Sequence, residues 1–75
     1  MKLFPTKAEI DFVKRKYPAG TRVELVRMND IDAPEVGTRG TVVGVDGIGS
    51  LLMKWDNGSS LHVLYGEDVV RKVEE

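Results

Sequence analysis

Seventy-five residues, 41% hydrophobic and 31% charged, suit one small globular core and exclude both a second domain and a disordered chain. The absence of cysteine removes disulfides, thiolate metal sites and cysteine nucleophiles together. Eleven basic against twelve acidic residues leave a net charge of −1, so the chain as a whole is no polycation.

The start, Met-Lys-Leu-Phe-Pro-Thr, has no apolar secretory stretch and no apolar run approaches a membrane span, so a cytoplasmic protein without membrane contact is expected. Thr6 and Glu9 stand at capping-box spacing, with Leu3 or Phe4 placed to staple the first turn, which predicts a helix over 6–17. Pro18 disfavours helical geometry in the residue before it, and Gly20 follows. Ile10, Val13 and Tyr17 make one apolar stripe, with Phe12 to its side. Lys14, Arg15 and Lys16 fall in the last turn, where positive charge complements the helix dipole.

Beyond Gly20 the apolar period changes to two and glycine punctuates the chain, which predicts short strands. The first, over 21–28, points Val23 and Leu25 inward. Residues 29–38 hold Pro and Gly without periodicity and read as a long loop. In the second strand, 39–45, the apolar pair Val42 and Val45 breaks alternation, and a bulge at Gly44 would reconcile them. The third, 51–56, puts Leu51, Met53 and Trp55 on one face, with Lys54 marking the outside. Asp56-Asn57-Gly58 is a hairpin signal leading to a fourth strand over 59–64, with Leu61 and Val63 inward. A single helical turn at 66–68 precedes a fifth strand over 69–73.

Five short strands joined by a long loop, a short loop, a tight hairpin and one helical turn predict an SH3-like barrel over 20–73, forming a single domain with the helix. Its expected core is Val23, Leu25, Val42, Val45, Met53, Trp55, Leu61, Val63 and Val69. Outward Val26, Val43 and Leu52 form a strip on which the helical stripe is expected to dock.

Three motifs carry a resemblance across nearly the whole chain: Gly20-Thr21-Arg22-Val23-Glu24-Leu25, Gly37-Thr38-Arg39-Gly40-Thr41-Val42, and Lys54-Trp55-Asp56-Asn57-Gly58-Ser59-Ser60-Leu61. In order and spacing they resemble a small bacterial family of unknown function found in firmicute genomes, phages and mobile elements. More distantly, Gly40-Thr41-Val42-Val43 with Trp55-Asp56-Asn57-Gly58 is similar to the SH3-like repeat of mind bomb ubiquitin ligases, which bind peptide tails; this implies the fold and not the ligand. Val23-x-Leu25 and Gly37-x-x-Gly40-x-Val42 are similar to the KOW motif of ribosomal and transcription-elongation proteins. The chain departs from that motif by its longer, acidic loop after the first strand.

Catalytic chemistry finds no constellation. His62 is the sole histidine, on a predicted outward face with no serine elbow or phosphate-cradling loop around it, and reads as a surface or edge residue. Asp30, Asp32 and Glu35 lack the ligand series of a calcium loop. No cofactor or metal is expected, and Trp55 reads as an inward packing residue. The remaining reading is a non-enzymatic module that binds a protein segment through Met28, Asp30, Asp32, Glu35 and Tyr65, favouring a ligand with basic and apolar residues. Its alternative is a nucleic-acid or ribosome-associated barrel that uses Lys14, Arg15, Lys16, Arg22 and Arg27 against phosphates. Residues 1–28 sum to +4 and residues 29–75 to −5; net charge favours the first reading, while the KOW similarity and the local basic run keep the second open. Self-association through an exposed strand edge is a third possibility, and the oligomeric state is left open.

Overall fold

The computed structural model describes residues 5–73, so the expected staple by Leu3 or Phe4 lies outside the described residues. Helix α1 spans Lys7–Lys16 and is capped as its sequence requires: Thr6 Oγ1 accepts from Glu9 N (3.2 Å), and Glu9 Oε1 accepts from Thr6 N (2.9 Å). Tyr17 N closes the last turn on Val13 O (2.8 Å). Gly20, at φ +94°, then turns the chain into the sheet. Among the described residues, no helix is long and apolar enough to cross a membrane.

Four strands follow: β1 (Arg22–Arg27), β2 (Arg39–Val45), β3 (Leu51–Trp55) and β4 (Val69–Lys72). They form one antiparallel sheet in the order β3-β2-β1-β4. The fold is mainly β with one helix, and the sheet is not closed. The expected bulge in β2 is present: Val42 pairs with Met53 but Gly44 with Leu52, leaving Val43 as the extra residue. A second bulge lies in β1, between Leu25 and Arg27, opposite Val69.

The expected strand over 59–64 is reduced to a single bridge, in which Leu51 and Val63 exchange backbone bonds of 2.9 and 3.0 Å. The local chemistry explains why. Gly58 N bonds Trp55 O and Trp55 N bonds Ser59 O, a three-residue turn with positive φ at Gly58 alone. Ser59 Oγ then accepts from Leu61 N (3.2 Å), and the Trp55 indole N–H donates to Leu61 O (2.9 Å). Side chains thus take the backbone groups of Leu61 that a ladder would have used.

The core consists of Val13, Val23, Leu25, Val42, Leu51, Met53, Trp55 and Val63, with Tyr17, Met28, Val45 and Val70 packed against it. Val69, expected inside, is 41% exposed. The β1 bulge shifts register by one, so Val70, not Val69, lies opposite Leu25. Leu61 is half-buried because it belongs to no strand. The helical stripe also docks elsewhere than expected. Val13 enters the core, while outward Val26 (42%) and Val43 (58%) stay exposed. With the fourth strand missing from the ladder, the inner side of the sheet needs a cover, and α1 supplies it.

The outer face is tied by charge. Glu24, flanked by Arg39 on β2 and Arg71 on β4, accepts from Arg39 Nε at 3.3 Å and from Arg71 Nε and Nη2 at 3.1 and 2.9 Å. Arg22 grips Asp56 with both terminal nitrogens (2.8 and 2.6 Å) and also bonds Thr41 Oγ1. The hydrogen bond from Arg71, reinforced by Arg39, holds the Glu24 carboxyl below its ordinary 4.5, and the bond from Arg22 lowers Asp56 from 3.8. A depressed carboxyl pKa gives stability that is present above the unfolded value and lost as pH falls through the folded one. Glu24→Gln should therefore lower the thermal midpoint at pH 7, and the gap to wild type should close as pH falls below about 4.5. Melting curves across that range check it; a gap independent of pH would refute the ionic role.

Candidate functional site

The long loop is closed at its base by Leu25, whose carbonyl accepts from Gly37 N (2.9 Å) and whose N–H donates to Thr38 O (2.8 Å). The excursion between those bonds is shaped by Asp30: its Oδ1 accepts from Asp32 N (2.8 Å) and its carbonyl from Ala33 N (3.1 Å). This turn swings Asp30 and Asp32 over the irregular 59–64 segment. Between them lies an open groove of about 500 Å³.

Three of the five residues expected to contact a protein segment, Met28, Asp30 and Asp32, line this groove together. Glu35 does not line it; its carbonyl caps Thr38 N in the loop's return. Tyr65 faces the other way, its hydroxyl donating to Glu9 Oε2 (2.8 Å) and pinning the helix start to the chain after Val63. Sequence reasoning missed the opposite wall. Leu61, His62 and Leu64 supply an apolar and aromatic side, and Glu67 and Asp68 add two carboxylates. The surplus of negative charge after Met28 is the only sequence signal for them, and nothing in a linear pattern places Glu67 and Asp68 beside Asp30. Asp68 Oδ2 accepts from Leu64 N (2.8 Å), which fixes that wall. Among the described residues no three His, Asp or Glu side chains gather closely enough to hold a metal ion.

The five basic residues of the alternative lie on two elements, α1 and β1. Arg22 is engaged by Asp56 on the outer face of the sheet. Arg27, at the other end of β1 and about 17 Å away by strand rise, reaches Glu67 O (3.4 Å). Lys14, Arg15 and Lys16 project from the last turn of α1, with Lys16 Nζ 5.4 Å from the Tyr17 ring centre and 5.8 Å from that of Phe12. Trp55, 2% exposed, is an internal residue, as its alternation predicts.

A second, smaller groove of about 240 Å³ lies between α1 and the 63–70 segment, on the far side of Leu64 and Asp68. Its floor is apolar: Val13, Leu51, Val63 and Val70, with Phe12 and Tyr17 at the helix side. Lys72 Nζ stands 5.9 Å from the Tyr17 ring.

A family model described as a domain of unknown function (DUF4314) matches residues 6–73, from the helix cap through the last strand. The chain belongs to this family. The match treats α1 and the sheet as one unit, in agreement with the entry of Val13 into the core. Comparison with curated proteins and with solved structures finds no match.

Proposed function

We propose that the chain is a non-enzymatic binding module that takes a short protein segment in the acidic groove between the long loop and the 59–64 segment. The observation that carries this reading is the convergence of Asp30, Asp32, Glu67 and Asp68 around an apolar strip of Met28, Leu61 and Leu64. Such a lining selects a segment that alternates basic and apolar residues: the carboxylates supply steering and register, the strip supplies burial. The Leu51–Val63 bridge and the hairpin before it support reading the sheet and the 59–64 segment together as an SH3-like scaffold.

The test uses synthetic peptides that alternate arginine with leucine, and acidic counterparts as controls. Binding of the basic peptide, measured by fluorescence anisotropy, should weaken about tenfold or more when Asp30→Lys and Asp32→Lys are combined. Equal affinity for basic and acidic peptides, or no change in the double variant, would remove the groove as the site.

A further inference from the structure

Ile31 is 99% exposed, at the tip of the long loop. A single exposed aliphatic residue is ordinary. This one is held out on a fixed turn, with Asp30 Oδ1 and Asp30 O both bonded to backbone N–H groups beyond it, and an exposed aspartate stands on each side. It does not line the acidic groove, so the peptide reading gives it no role. The smaller groove has the complementary character. Its floor is apolar, its volume of about 240 Å³ is below that of sites for drug-sized ligands and suits one or two aliphatic side chains, and Lys16 stands on its helix side with Lys72 nearby. Asp68, the acid on its opposite wall, is bonded to Leu64 N, and Lys16 and Lys72 bring positive charge to the helix side.

We infer that two copies of this chain associate by seating Ile31 of one in the groove between α1 and the 63–70 segment of the other, with Asp30 and Asp32 against Lys16 and Lys72. The two hydrogen bonds to Asp30 already shape the loop tip, which limits the conformational freedom lost on docking. If each copy both gives and receives a tip, assembly stops at a dimer; if the contact runs one way, it continues head to tail. The inference does not rest on the peptide proposal, since Ile31 lines neither that groove nor its walls, although Asp30 and Asp32 serve in both.

Sedimentation velocity of the full chain, from micromolar to millimolar concentration and at low and high salt, tests it. The expected result is a mass that rises with concentration and falls with salt. Ile31→Ser should weaken association about tenfold or more while leaving the far-ultraviolet circular dichroism and arginine–leucine peptide binding unchanged. Lys16→Glu and Asp32→Lys should each weaken association, and a chain carrying both should recover it, because the swapped charges meet again across the contact. A monomer at every concentration would overturn the inference. So would association that persists in Ile31→Ser, which would assign it to another surface such as the β4 edge, or a double variant that fails to recover.

Discussion

Trp55→Ala should leave the chain at the edge of folding. The indole is 2% exposed, lies in the single core, and donates to Leu61 O at 2.9 Å. Removing a buried tryptophan side chain costs about 3–5 kcal/mol. A domain of this length holds only roughly 4–11 kcal/mol in total. The substitution has a second consequence, because the Leu61 carbonyl loses the donor that fixes the segment after the hairpin. Trp55→Phe separates the two effects: it keeps most of the ring and loses the N–H, for about 1–3 kcal/mol. Urea unfolding followed by circular dichroism reads both variants on one scale. An unchanged midpoint for Trp55→Ala would show that the ring does not organise the core.

Gly40→Ala should be the most damaging single-methyl addition in the sheet. Gly40 pairs with Trp55 across β2 and β3, and a Cβ there would stand 2.7 Å from Trp55 Cε3, 3.0 Å from Met53 Cε and 3.1 Å from Lys54 O. The methionine tip can move aside. The indole, packed and hydrogen-bonded, and the strand carbonyl cannot move without disturbing the ladder. Overpacking of this kind costs about 1–3 kcal/mol. Gly44, four residues along the same strand, is the control: its nearest neighbour is Leu52 Cδ1 at 4.0 Å, so Gly44→Ala should be tolerated. In a Trp55→Phe background the smaller ring should relieve part of the Gly40→Ala cost, so the two substitutions should be less than additive in the same urea measurement. Strict additivity would mean that the ring is not what the methyl meets.

Local rules made much of the fold legible. The Thr6–Glu9 box, the Pro18-Gly20 stop, the three strands from Arg22 to Trp55 and the Gly44 bulge each follow from residues within a few positions of one another. The departures arise where a distant group competes. Leu61 has strand-like neighbours, yet the Trp55 indole claims its carbonyl, and no periodicity encodes that. Val69 and Val70 are equally apolar, and only the bulge in β1, which sequence alone did not show, decides which one faces Leu25. The same limit governs the groove. Met28, Asp30 and Asp32 were legible as a group because one loop carries them. Glu67 and Asp68 were not, because their place opposite depends on how the chain returns after Val63.

One carboxylate joins parts of the molecule that the strand order keeps separate. Glu9 uses Oε1 to complete the helix cap and Oε2 to hold the Tyr65 hydroxyl. Tyr65 follows Leu64, which with Asp68 lines both grooves and forms the wall between them. Glu9 therefore ties the first turn of α1 to the chain that walls both grooves. The two grooves thus share a wall, and Glu9 is the clasp that fastens it to the helix.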